Sequence, residues 1–231
     1  MTQDTMTNES KANLDNFIRP LPSYLVNRYM GWRATEFEDS KSWYQHLAAE
    51  GQHPRAMLIS CCDSRVNGTV LFGADSGEFF IHRNIANLIP PYNPNGDHHG
   101  TSAAIEYAVK ALRVAHIIVL GHSSCGGING GFHACNGTEK ELYEDTVFIK
   151  KWLEILKPAY SALDSQGDTA TKIADLEKLS ITVSLKNLAG FPFVLDALEK
   201  NQISLHGLWH DIGSGELFGY DAKTEAFQAL S

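Results

Sequence analysis

A chain of 231 residues that is 43% hydrophobic can bury one sizeable core, which excludes a disordered or fibrous class. A net charge of −8 and a pI near 5.6 argue against nucleic acid and anionic membrane surfaces, both of which recruit basic patches. Four cysteines are too few for a disulfide scaffold, the N-terminus carries Asp4 and Glu9 without an apolar run, and no stretch has the length of a membrane helix, so a cytoplasmic, non-membrane protein is expected.

In chain order, residues 1–21 read as a flexible lead-in. Pro22 opens an apolar stretch, Tyr24-Leu25-Val26, suited to a short helix. Ser40 is placed to cap a second helix that runs through Trp43, His46 and Leu47 to Gly51. Met57-Leu58-Ile59, Phe79-Phe80-Ile81 and Ile117-Ile118-Val119-Leu120 are short continuous apolar runs, the pattern of strands buried on both faces. Pro90 to Gly96 must be loop, and Ala103 to Leu112 has helical spacing. Helices are expected over roughly 145–163, 171–188 and 192–200. Ile203 to Ile212 and Leu217 to Tyr220 flank Gly213-Ser214-Gly215 as a terminal hairpin. The alternation predicts an α/β fold: a mainly parallel central sheet with an antiparallel edge strand, flanked by helices, forming a single domain over 22–231.

Two motifs carry chemistry. Cys61 lies in Ser60-Cys61-Cys62-Asp63-Ser64-Arg65, and His122 and Cys125 lie in Gly121-His122-Ser123-Ser124-Cys125-Gly126-Gly127. Two thiolates and an imidazole suit Zn²⁺, and three protein ligands leave a fourth position for water, the arrangement of catalytic sites. Cys61 and His122 each follow a buried run, so both reach the carboxyl edge of the sheet, where open α/β sheets bind ligands. Alternation along an extended strand puts Cys61, Asp63 and Arg65 on one side and Cys62 in the core. The glycines after Cys125 let the backbone pass close to a metal.

Over about residues 22–222 the sequence resembles the β-class carbonic anhydrases. C-x-D-S-R and H-x-x-C carry the resemblance, supported by Phe80 to Asn87, Ala104 to Val109, Ser184 to Leu188 and Leu205-His206-Gly207. It implies reversible hydration of CO₂ to bicarbonate and a proton by zinc-bound hydroxide, with one Zn²⁺ per chain on Cys61, His122 and Cys125. Asp63 would orient the nucleophile and Arg65 would hold Asp63 ionised; in some members that Asp instead closes the site as a fourth ligand. Gln52 matches a substrate-binding glutamine of the plant-type, open-site subgroup; Phe80, Ile85 and Tyr107 match its apolar pocket, and the Gly126 amide would be a further donor. Leu58 and His210 stand where the bicarbonate-inhibited group has tryptophan and tyrosine, which implies no second bicarbonate site. In the plant-type group Phe80 and Tyr107 equivalents face the partner's zinc, so the resemblance implies a homodimer as the minimum active unit, with residues 22–50 as a helical arm around a neighbour.

The same zinc chemistry would serve a COS or CS₂ hydrolase, and the sequence does not separate that substrate from CO₂. A non-catalytic zinc-bearing regulator is the other alternative, although it would be expected to have lost Asp63, Arg65 or Gln52. A thiol redox protein would want C-x-x-C, and the first position here is His122. Asp97-His98-His99 is read as a run of solvent-facing polar residues in a loop, His210 as a hydrogen-bonded structural residue, and His133 and Cys135 as helical residues without a role.

Overall fold

In a computed structural model describing residues 17–138, 145–164 and 166–230, the sheet is built on β1 (Ala56–Cys61), every residue of which is buried. β2 (Phe79–Asn84) and β3 (His116–His122) flank β1, and β4 (Ser204–His210) follows β3; all four are parallel. β5 (Leu217–Asp221) and β6 (Ala226–Ala229) continue the sheet antiparallel, giving the order β2-β1-β3-β4-β5-β6. The antiparallel edge is thus two strands wide, and β6 is the one the sequence reading lacked: four residues, mostly exposed, with no alternation to reveal them.

The described residues divide into two compact units, with the boundary between Gly51 and Gln52. The first contains α1 (Ser23–Ala34), α2 (Glu36–Asp39) and α3 (Lys41–Glu50). Its order comes from aromatic contact: Trp32 lies 5.5 Å from Phe37 and 5.9 Å from Tyr44, centroid to centroid. Ser40 occupies the position before α3 but makes no side-chain cap bond, because its backbone does not adopt the extended geometry a cap requires. Of the expected lead-in, residues 1–16 lie outside the described residues.

In the second unit, alternate residues of β1 serve two layers. Met57 and Ile59 join Ile117, Val119 and the helices α5 (His99–Glu106), α9 (Thr169–Ala189) and α10 (Pro192–Glu199) through Ile105, Ile181, Leu188 and Val194. Leu58 points the other way, against Val66 and Leu120. α4 (Gly68–Leu71), a single turn, was not expected from the sequence. A third cluster caps the carboxyl end of the sheet: Cys61, Ala86 and Cys125 pack with Ile128 and Phe132 of α6 (Gly126–Asn136) and Leu176 of α9. The helix expected over 145–163 is broken into α7 (Phe148–Leu153), a 3₁₀ turn and α8 (Lys157–Ser161), with Pro158 in the first turn of α8. Among the described residues no single helix is long and apolar enough to cross a membrane.

Gly121 on β3 shows how tightly α9 seats on the sheet beneath His122. A Cβ there would stand 2.7 Å from Cδ1 of the fully buried Ile181. Gly121→Ala is expected to destabilise the fold by about 1–3 kcal/mol in urea unfolding, the range for overpacking a core. Ile181→Val removes that Cδ1, so the double variant should be markedly more stable than the sum of the two single changes; strict additivity would contradict the contact.

Candidate metal centre

β1 and β3 run parallel in register, Ser60 opposite Leu120, so their carboxyl ends deliver Cys61 and His122 to one place. Beyond β3 the chain reverses at Ser124, whose φ of 57° is in the left-handed region, and Cys125 returns as the residue preceding α6. Cys61 Sγ and Cys125 Sγ are 3.9 Å apart, and with one ring nitrogen of His122 they form a buried group whose ligand atoms all lie within 4.8 Å.

The group fits Zn²⁺ on its own geometry. Two sulfurs each about 2.3 Å from one tetrahedral ion stand roughly 3.8 Å apart. His122 Nδ1 donates to the Ser123 carbonyl at 2.9 Å, which leaves Nε2 as the ring acceptor. That Nε2 is buried and has no hydrogen-bond partner among the described residues. A cation at this point would answer an otherwise orphaned lone pair.

The sulfurs are poised as acceptors. The Cys125 thiol beside it draws Cys61 well below the ordinary thiol range, against burial, with help from His122 and the amides of Asp63 and Ala86. Cys61 in turn raises Cys125, as does burial, while the Gly127 and Ile128 amides at the start of α6 oppose the shift. A divalent cation bound by both sulfurs would displace the thiol protons and favour the thiolates. For His122, burial opposes the charged ring, but Cys61, the Ser123 carbonyl and Asp63 outweigh it and raise its pKa.

Asp63 and Arg65 stand beside this group. Arg65 forks onto the carboxylate, Nε donating to Oδ1 at 3.0 Å and Nη2 to Oδ2 at 2.7 Å, and its backbone amide also donates to Oδ1. Those bonds hold Asp63 well below the usual carboxylate range. Oδ2 is 4.0 Å from His122 Nε2, and Arg65 Nη2 also donates to the Ser124 carbonyl at 2.9 Å. The juxtaposition with Cys61 comes from a turn, because β1 stops at Cys61 and alternation does not continue past it. For the same reason Cys62 is exposed rather than in the core, on a cleft of about 770 Å³ that Ile85, Thr101 and Trp152 also line.

Gly126 opens α6 directly after Cys125, and Ile85 Cγ2 lies 2.8 Å from where a Gly127 Cβ would stand, so both belong to this end of the sheet. Phe80 and Tyr107 do not. Their rings pair at 5.7 Å, but Phe80 aligns with Met57, four residues back from the Asn84–Cys61 pair, about 13 Å along the strand. Gln52 is exposed four residues before β1, leading into that same far end. His210 Nδ1 lies 3.3 Å from the Glu216 carbonyl, and Asp97 pairs with Lys151.

Two residues without a role in the sequence reading brace the site. Arg83 donates to the carbonyls of Cys61, Asp63 and Val66 at 2.7–2.9 Å and so fixes the turn that carries Asp63. Glu177 of α9 is 3% exposed; its Oε1 accepts from the Cys125 amide at 3.0 Å and its Oε2 from Trp209 Nε1 at 3.3 Å. An acid on the stripe Leu176, Ser180, Ile181, Ser184 and Leu188 was the signal that could have revealed it.

Comparison with known proteins agrees with this geometry. A family described as carbonic anhydrase matches residues 56–217. The chain is 34% identical over 208 residues to Beta carbonic anhydrase 3 of Arabidopsis thaliana, covering 88% of this chain and 79% of that protein. Among solved structures it superposes on the β-carbonic anhydrase CcaA with a TM-score of 0.77 at 31% identity, over 90% of this chain and 98% of that one. A tetrameric β-carbonic anhydrase from Sordaria macrospora gives 0.74 at 28% identity, with the same coverage. Family match, relatives and Cys-His-Cys group converge: this chain belongs to the β-class carbonic anhydrases, which are zinc enzymes.

Proposed function

We propose that this chain catalyses the reversible hydration of CO₂ to bicarbonate and a proton, with one Zn²⁺ held by Cys61, His122 and Cys125. The observation that carries the assignment is the pair of buried sulfurs 3.9 Å apart beside an imidazole nitrogen that has no hydrogen-bond partner among the described residues. Zn²⁺ bound there supplies a nucleophile by lowering the pKa of coordinated water toward neutrality. The chain's own residues do the rest. Asp63, kept ionised by the Arg65 fork, can only accept a hydrogen bond, so it takes one from the attacking oxygen and turns the lone pair toward CO₂. Arg83 and the Ser124 carbonyl hold that pair in place. Ile85 offers an apolar wall to a substrate without a net dipole, and the Gly126 amide is a donor to a substrate oxygen.

The plant-type reading implies a homodimer as the minimum unit, and the sheet supports a way to build it. β2 is an edge strand whose Ile81 is 44% exposed, and Tyr107, whose ring pairs with Phe80 of β2, is 49% exposed. Antiparallel pairing of two such edges would bring the start of one β2 beside the finish of the other. Gln52, Phe80 and Tyr107 of one subunit would then serve the metal centre of its partner. The exposed Tyr24, Leu25, Tyr29 and Met30 on α1 suit an arm against a neighbour, and tetramers among the solved relatives suit further assembly.

Cys61→Ala and His122→Ala are expected to lose zinc and more than about 100-fold in turnover, since even the outer partners of metal ligands are worth 10–100-fold. Asp63→Asn should keep the metal and lose about 10–100-fold in kcat; unchanged turnover would remove Asp63 from the mechanism. Shared sites make a further prediction. A chain carrying Gln52→Ala with Tyr107→Ala, mixed and exchanged with a Cys61→Ala chain, should regain CO₂ hydration in stopped-flow assays, because one site in each heterodimer is intact. Subunit exchange without recovery would contradict sites shared between subunits.

A further inference from the structure

We propose that Glu177 is a positioning residue of the metal centre, a buried double acceptor that sets the Cys125 amide and with it the direction of the Cys125 thiolate. The inference rests on the reading of Cys61, His122 and Cys125 as zinc ligands. A glutamate is seldom as buried as this one unless it is paired, and among the described residues no Lys or Arg forms an ion pair with it. Lys178, next in the chain, lies over the Trp209 ring at 4.6 Å instead. The carboxylate is occupied by N–H donors: Cys125 on one oxygen, Trp209 on the other. An apolar side chain could fill the same space, but it would leave the Cys125 amide buried without an acceptor.

The peptide that Glu177 grips is the one that needs holding. Ser124 has a φ of 57°, a conformation a non-glycine residue keeps only where its surroundings over-determine it. Two bonds flank it: the Ser124 carbonyl accepts from Arg65 Nη2 at 2.9 Å, and the Cys125 amide donates to Glu177 at 3.0 Å. Releasing Glu177 would therefore loosen a zinc ligand directly and the Arg65–Asp63 pair through Ser124.

The test uses full-length protein and reads metal as well as rate. In Glu177→Gln the side chain has one acceptor for two donors, so an N–H of Trp209 or Cys125 must face the new amide NH₂. Zinc affinity, measured by competition with a chelator, is expected to fall about 10–100-fold. The thiolate-to-cobalt charge-transfer band of the Co²⁺-substituted protein should shift. Adding Trp209→Phe removes the competing donor and leaves the Gln carbonyl free for Cys125, so the double variant should recover most of the affinity and the wild-type band. Wild-type affinity and an unshifted band in Glu177→Gln would overturn the proposal. So would a folded double variant that binds zinc less tightly than wild type by the same factor as Glu177→Gln. Wild-type protein that binds no zinc would overturn the metal reading itself, and this inference with it.

Discussion

Two thiols buried 3.9 Å apart, beside an imidazole nitrogen that has no hydrogen-bond partner among the described residues, leave a position that a cation would satisfy. The contact between the sulfurs lowers Cys61 and raises Cys125, and His122 Nε2 has no hydrogen-bond partner among the described residues. Much of the surrounding structure can be understood as keeping this arrangement in place. Parallel β1 and β3 bring the ligands to one sheet edge, and the start of α6 turns amides toward Cys125. Arg83 pins one ligand loop from β2, while Glu177 pins the other from α9.

The proposed site is divided along the sheet, and the division follows from strand direction. Ligands and the Asp63–Arg65 pair sit at the carboxyl ends, while Phe80, Tyr107 and the segment entering β1 sit at the opposite ends. A single chain of this topology keeps those two ends apart, because the fully buried β1 runs between them. A free edge strand offers the simplest remedy, a second copy paired head to tail. On the proposed reading, assembly and catalysis are then one requirement rather than two.

How much of this was legible in the sequence depended on range. Met57 to Ile59 and Ile117 to Leu120 announced β1 and β3, because strands buried on both faces read as unbroken apolar runs. The Cys61-His122-Cys125 group was legible as a candidate metal site because its residue types and spacing carry the chemistry directly. Cys62 was misplaced by carrying strand alternation one residue past the end of β1. Arg83 and Glu177 act through contacts 17–22 and 52 residues away, which no local pattern reveals; only the oddity of an acid on an apolar stripe hinted at Glu177. Gln52, Phe80 and Tyr107 came from family resemblance alone. Within one chain, strand geometry would have argued against them.

The most direct measurement is stopped-flow CO₂ hydration near neutral pH, with zinc per chain determined on the same sample. Rapid turnover with one zinc per chain is expected. A sample carrying its full zinc that does not hydrate CO₂ would contradict the proposed function.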